Sequence, residues 1–299
     1  MTPDRSSPLR YPGGKSFLTG FLVDTIRLNH LEGGTYVEPF AGGAGAALNL
    51  LLGEYVSAVY LNDLDPCIFS FWKSILDDTE KFLRLVMLIP LDVATWRTQR
   101  EIVRKPKCHS RLELGFAAFY LNRTNRSGVF NAGPIGAIEQ TGNYSIGVRF
   151  NRKELCRRIE RIALYRERIV VSKMDAVEFL ATHLVGTAWH KSNTIVYLDP
   201  PYCDKGQRLY SRFFRDEDHS RLAKFLNGCA AFRWLISYDD ASLIHRLYAG
   251  EKNVLFMNYF MHTVRVGREL IIGSSDCELP QHFFERTETV SNPVSKAHG

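Results

Sequence analysis

A carboxylate, two prolines and an aromatic ring stand in a row at Asp199-Pro200-Pro201-Tyr202. Each proline disfavours the helical region for the residue before it, so Asp199 and Pro200 are both driven to extended geometry. Neither proline has an N–H, so the backbone between them offers acceptors only. The row presents a side-chain carboxylate, a carbonyl and a flat ring at fixed spacing. A planar partner with an exocyclic amino group fits it: carboxylate and carbonyl accept the two N–H bonds, and the ring stacks on the face. Taken alone, the same four residues also make a strand end with a Pro-rich turn and a core Tyr. The surrounding chain decides between the two.

The row follows Thr194-Ile195-Val196-Tyr197-Leu198. Such an unbroken apolar run of strand length marks a strand buried in a parallel sheet, and ligands bind at the carboxyl ends of such strands. Other predicted strands also run into residues with chemistry. Thr35–Glu38 leads into Pro39-Phe40-Ala41-Gly42-Gly43-Ala44-Gly45, and a helix follows over 46–52. Strand, glycine-rich turn and helix form a nucleotide-cofactor unit. A second strand, 57–61, ends in Asn62-Asp63-Leu64-Asp65, where an acid commonly takes the two hydroxyls of a ribose. The glycine spacing is not G-x-G-x-x-G, which disfavours nicotinamide and flavin dinucleotides. A third strand, 169–171, precedes Asp175. That acid can accept the amine of a cofactor adenine or cap the next helix, and one residue can do both. Near the start, Tyr11-Pro12-Gly13-Gly14-Lys15 turns into a helix over 17–29. A lysine at a helix start suits an anionic group, although the P-loop spacing is absent.

Between the second and third strands the periodicity predicts helices over 67–76, 79–89, 92–104, 112–121 and 151–165. Further elements follow the Asp-Pro-Pro-Tyr row: a helix over 216–226, a strand over 232–237, a helix over 241–247 and strands over 253–257 and 269–272. Alternating strands and helices of this kind build an α/β, doubly wound, Rossmann-like sheet. The stretch 122–136 is long, polar and rich in Arg, Asn and Gly. Arg and Asn are the side chains best fitted to guanine and adenine edges. A basic stretch, Arg97 to Lys107, is either a solvated helix face or a phosphate-contacting one. Residues 1–8 read as loosely attached.

The 299 residues suffice for one large domain with an insertion. A hydrophobic share of 45% with 23% charged residues is ordinary for a globular protein. The net charge of +6 admits a polyanionic partner without demanding one. Six scattered cysteines without a C-x-x-C pair argue against a zinc site or a disulfide framework. No apolar run reaches the length of a membrane span, and the polar amino terminus is not a signal peptide.

Four pieces in order, Tyr11-Pro12-Gly13-Gly14-Lys15, Glu38-Pro39-Phe40-Ala41-Gly42, Asn62-Asp63 and Asp199-Pro200-Pro201-Tyr202, resemble the Dam-type N6-adenine DNA methyltransferases of the α group. The resemblance implies S-adenosyl-L-methionine as cofactor, S-adenosyl-L-homocysteine as product and no metal. It implies a mostly parallel methyltransferase sheet whose last strand is antiparallel. Residues 1–76 and 166–285 would form the catalytic domain, 77–165 an inserted, mainly helical target-recognition region, and 286–299 a mobile tail. Asp199, Pro200, Pro201 and Tyr202 would be catalytic. Tyr11, Gly13, Lys15, Glu38, Pro39, Phe40, Gly42, Asp63, Asp175 and Asp199 would meet the cofactor. Leu121-Asn122-Arg123 resembles the opening of the hairpin that reads DNA, which assigns DNA binding to Arg123, Asn125, Arg126 and Ser127. The loop 203–214, with Lys205, Arg208, Tyr210 and Arg212, would lie where a flipped base enters.

Two departures stand out. The family usually has Trp where Tyr11 stands, and the last glycine of its F-x-G-x-G loop falls one place late, at Gly45. Beyond Arg123 the sequence differs from enzymes that recognise GATC, so no recognition site is assigned. The implied partner is double-stranded DNA and not a membrane. The implied setting is the cytoplasm of a bacterium, or a phage or mobile element, with room for a cognate restriction or defence component. Cytosine N4 or an RNA amine offers the same conjugated amino group, so adenine rests on the resemblance. A catalytically silent DNA-binding relative is the reading from another class, and an intact catalytic row and cofactor loop speak against it.

Overall fold

The structure, a computed structural model, describes residues 6–10, 18–183, 189–203, 214–249, 253–260 and 266–283. In chain order its main elements are α1 (Thr19–Leu28), β1 (Thr35–Glu38), α2 (Gly45–Leu52), β2 (Ala58–Asn62), α3 (Pro66–Asp77), α4 (Thr79–Leu88), α5 (Val93–Arg104), α6 (Arg111–Thr124) and α7 (Arg152–Ala163). They continue with β3 (Ile169–Ser172), α8 (Ala176–Thr182), β4 (Thr194–Leu198), α9 (Asp216–Asn227), β5 (Arg233–Tyr238), α10 (Ser242–Leu247), β6 (Asn253–Phe260) and β7 (Val266–Gly273). The chain divides into two compact units. Unit 1 is Met1–Thr19 with Gly33–Thr187, and unit 2 is Gly20–Glu32 with Ala188–Gly299.

In unit 1, β2 pairs in parallel with β1 on one side and with β3 on the other. Helices α3 to α7 fill the interval between β2 and β3. Their apolar faces meet in an aromatic core. Phe71 stacks on Phe119 with ring centroids 5.8 Å apart and planes 8° apart, and Phe82 stands edge-on to both. Helix α6 starts at a capping box: the Ser110 hydroxyl accepts from the Glu113 N–H, and the Glu113 carboxylate accepts from the Ser110 N–H. Its Gly115 lies against α3 so closely that a Cβ there would sit 2.5 Å from the Ser70 carbonyl oxygen. Only glycine allows the two backbones to approach so far.

Unit 2 carries the order β4-β5-β7-β6. Strand β4 runs parallel to β5, and β7 runs antiparallel to both β5 and β6. Every residue of β4 is buried, which is why its sequence is an unbroken apolar run. Asn29, just past α1, is tied to Glu278 by two bonds: its amide donates to the Glu278 carbonyl at 2.8 Å, and the Glu278 N–H donates back at 2.9 Å.

Parallel strands with helical crossovers, and a last strand antiparallel to its neighbours, make the α/β Rossmann-like fold that the sequence predicts. The loose amino terminus is corrected for residues 6–8, and residues 9 and 10 continue the same attachment. Ser6, Pro8 and Leu9 are buried, and the backbone of Ser7, Pro8 and Arg10 is bonded by side chains from α6 and α7. The tail 286–299 lies outside the described residues. No helix among the described residues is long and apolar enough to cross a membrane.

Candidate active site

Unit 1 gathers the loops that follow its three parallel strands, and Asn62 is the knot. At the end of β2, its amide donates to the carbonyls of Pro39 and Met174, both at 3.0 Å. Its side-chain oxygen accepts from the Met174 N–H at 2.9 Å. One side chain thus joins the loop after β1, the end of β2 and the loop after β3. Asp63 comes next. One carboxyl oxygen accepts from the Gly42 N–H and the other from the Asp65 N–H, both at 2.9 Å. Asp65 in turn caps α3 through the Cys67 N–H.

The glycine turn is held from behind as well, since the Trp72 indole donates to the Gly42 carbonyl at 2.9 Å. Gly42 takes a positive φ, and so does Ala44, at φ 45° and ψ 34°. The loop thus demands a left-handed residue one position before Gly45, where the family pattern places its last glycine. The chain meets that demand with an alanine, at a cost of about 1–2 kcal/mol.

Burial pushes the Asp63 carboxyl up to about 7, and the neighbouring Asp65 charge adds to the rise, while the two N–H bonds oppose it. The residue as a whole keeps partial exposure. Glu38 is buried, and its carboxylate accepts from the Tyr36 hydroxyl at 3.0 Å and the Ala47 N–H at 3.2 Å, which anchors the start of α2. Asp175 caps α8, accepting from the N–H groups of Val177 and Glu178. Pro39, Phe40 and Gly42 lie between Glu38 and Asp63 in this arrangement. Tyr11, Gly13 and Lys15 lie outside the described residues.

Unit 2 places Asp199-Pro200-Pro201-Tyr202 directly after β4. Pro200 is buried, while Asp199, Pro201 and Tyr202 keep partial exposure. The Asp199 carboxylate accepts from the Ser237 hydroxyl at 3.1 Å. The next residue, Cys203, donates its N–H to the Asp239 carboxylate at 3.1 Å. The end of the row is thereby fastened to the end of β5. The Cys203 thiol lies 3.6 Å from His219 Nε2, and His219 Nδ1 lies 2.9 Å from the Tyr238 hydroxyl. Burial lowers the His219 pKa and favours the neutral ring, although Asp216, Asp239 and Asp218 oppose the shift. Lys205, Arg208, Tyr210 and Arg212 lie outside the described residues.

The Arg/Asn loop after α6 returns to unit 1, and its side chains divide. Asn125 is fully buried. Its amide donates to the carbonyls of Val129 and Phe130, and its oxygen accepts from the Trp96 indole at 2.6 Å. It folds the loop rather than facing outward. Arg123 is 8% exposed and donates to the Pro8 carbonyl at 2.7 Å. Asn122 accepts from the Arg10 N–H and donates to the Arg10 and Gly128 carbonyls. Gly128 has φ +76°, and a Cβ on it would lie 2.4 Å from the Arg10 carbonyl oxygen. Arg126 and Ser127 are the exposed pair, with Ser127 in the left-handed region at φ 54°. Asn62, Trp72, Trp96 and Ser237 hold these loops, yet sequence reasoning gave none of them a part in the site. Only Asn62 carried a signal, through its place in the Asn-Asp pair. The partner of Trp72 is 30 residues away and that of Ser237 is 38.

The chain is 25% identical over 286 residues to the retron Ec67 DNA adenine methylase of Escherichia coli, covering 91% of this chain and 87% of that protein. Among solved structures it is similar to the rRNA methyltransferase aviRa of Streptomyces viridochromogenes. That likeness has 14% identity and a TM-score of 0.43, over 93% of this chain and 94% of the other. Residues 11–261 match the profile of the D12 class N6 adenine-specific DNA methyltransferases, and the chain belongs to that family.

Proposed function

We propose that the chain methylates adenine N6, with the loops after β1, β2 and β3 holding S-adenosyl-L-methionine and the Asp199–Tyr202 row holding the base. The observation that carries this reading is the Asp199 carboxylate. It is oriented by Ser237 at 3.1 Å at the carboxyl end of a fully buried strand and followed by two prolines. The cofactor fits unit 1 on its own terms. Asp63 is an enclosed acceptor beside the Gly42 N–H, suited to a pair of ribose hydroxyls. Asp175 stands one strand further along, at the place proposed for the cofactor adenine. Pro39, Phe40 and Gly42 would form the adjoining wall. Tyr11, Gly13 and Lys15 would complete it, and Glu38 anchors the helix behind it.

When bound, the sulfonium supplies a methyl group that is already electrophilic, so the chemistry asks for no metal. The residues of the chain do the rest by orientation. The N6 lone pair of adenine is delocalised into the ring. Asp199 and the Pro200 carbonyl accept the two N6 hydrogens and draw them out of the ring plane, which localises the lone pair. Positive charge that develops on N6 meets acceptors already in place. Tyr202 stacks on the base once it has left the duplex. Asp199 need not take a proton before transfer, because N6 becomes acidic only after it is methylated; the proton then passes to Asp199 or out through water.

Residues 77–165 would form the region that chooses the site on double-stranded DNA, with Arg126 and Ser127 outermost. Arg123 and Asn125 would act by setting the loop. The proposed setting is bacterial, phage or mobile-element, in keeping with the retron in the relative's name, with a cognate restriction or defence component as protein partner. Digesting DNA from cells that express the protein and separating its nucleosides tests the reading. N6-methyladenine confined to one sequence context is the expected result. N4-methylcytosine, or modified RNA alone, would overturn it.

A further inference from the structure

We propose that Ser237 and Tyr197 are positioning residues for Asp199: a hydroxyl chain, Tyr197 to Ser237 to Asp199, fixes the plane in which the carboxylate meets the N6 hydrogens. The inference rests on the role given to Asp199 above. The Ser237 hydroxyl lies 3.1 Å from Asp199 Oδ1, and the Tyr197 hydroxyl lies 2.9 Å from Ser237 Oγ. The parallel register of β4 and β5 makes this arrangement. Leu198 is level with Ile236, so Asp199 and Ser237 are the next residues in step. Tyr197 and Asp199 are two apart on an extended chain and lean to the same face.

Directions along the chain follow from proton counting. An ionised carboxylate only accepts, and a serine has a single O–H to give. Ser237 spends that proton on Asp199, so its oxygen is left to accept from Tyr197. The Ser237 and Tyr197 side chains are 0% and 2% exposed. In such an interior each bond polarises the next, and the bond to the carboxylate is strengthened. The gain for the reaction is angular. The last torsion of an aspartate is broad and roughly two-fold, so each bond to the carboxylate narrows the range it can sweep. The Ser237 bond, made from inside the sheet, sets the direction of one of its oxygens.

The alternative is that Ser237 and Tyr197 only satisfy each other in the core, and kinetics separate the two. The measurement is single-turnover methyl transfer to duplex DNA by Ser237→Ala, Tyr197→Phe and the double variant, with cofactor and DNA affinity measured alongside. Ser237→Ala should slow transfer about 10- to 100-fold, with both affinities within about twofold of wild type. Tyr197→Phe should slow it less, and should add nothing in the Ser237→Ala background, because it acts through that hydroxyl. Ser237→Thr keeps the hydroxyl and should recover most of the rate. A wild-type rate for Ser237→Ala, or additive effects in the double variant, would overturn the proposal. Should Ser237→Ala fail to fold, the nearly isosteric Tyr197→Phe decides alone, and its wild-type rate would overturn the chain. Asp199→Ala in the same assay keeps the two claims apart. If it retains the rate, the role of Asp199 fails; if it is inactive while Ser237→Ala keeps the wild-type rate, only the positioning chain fails.

Discussion

The carboxyl of Asp63 answers to two opposed influences, and pH exposes the balance. Burial, with the charge of Asp65, lifts its pKa to about 7 in the free protein. Ribose hydroxyls donate hydrogen bonds and favour the ionised form. Below about pH 7 the free protein carries a proton there that cofactor binding must expel. Affinity should therefore be full above pH 7 and fall as the pH drops beneath it, by up to about tenfold per pH unit. Calorimetry in buffers of different ionisation enthalpy should show proton release at pH 6 and almost none at pH 8. Asp63→Asn should bind weakly at both, with no such release. The sign for folding is the reverse. The neutral carboxyl favours the folded chain fully below its unfolded value near 3.8, and that contribution is lost as the pH rises through about 7. Arg126 tests the recognition loop at the same scale. It is exposed, so Arg126→Ala should leave thermal stability unchanged. It should weaken DNA binding, or relax the choice of one base, by about 1–3 kcal/mol. Scoring methylation across a pool of randomised duplexes distinguishes the two, and an unchanged profile at unchanged affinity would remove Arg126 from the interface.

At the scale of elements, patterning was a reliable guide wherever the pattern was local. The apolar run 194–198 is β4 to the residue, and 35–38 is β1. Helix α6 runs three residues past the expected 121, to Thr124. The reason is that Asn122 and Arg123 are polar side chains bonded to the backbone of residues 8–10, a contact more than 110 residues distant in sequence. Polar residues that look inward read the same as polar residues that look outward. For that reason residues 122–124 read as loop although they close α6, and the inward turn of Asn125 was not legible. Trp72 and Trp96 are buried and their indole N–H groups reach Gly42 and Asn125, so each packs an element and tethers a loop at once. The α3–α6 contact makes a sharper claim about packing. Gly115→Ala puts a methyl against backbone at 2.5 Å, and neither helix can move without disturbing the Phe71–Phe119 stack. Chemical denaturation should show a loss of about 1–3 kcal/mol. No loss would mean that the helices are not held that close.

On the proposed reading, chemistry and choice reside in different stretches of the molecule. Loops after β1, β2 and β3 would carry the cofactor contacts, the row after β4 the base contacts, and the helical insertion the recognition loop. The net charge of +6 suits a polyanionic substrate. Part of the basic stretch on α5 is engaged within the protein, with Arg104 paired to Glu101 at 2.7 Å and Arg100 lying over Trp96. On the proposed reading the reaction hangs on one carboxylate. Asp199→Ala, assayed for methyl transfer to duplex DNA with cofactor binding measured on the same preparation, tests that most directly. The account predicts a fall of about a hundredfold or more in transfer, with cofactor affinity within about threefold of wild type. Transfer at the wild-type rate would contradict it.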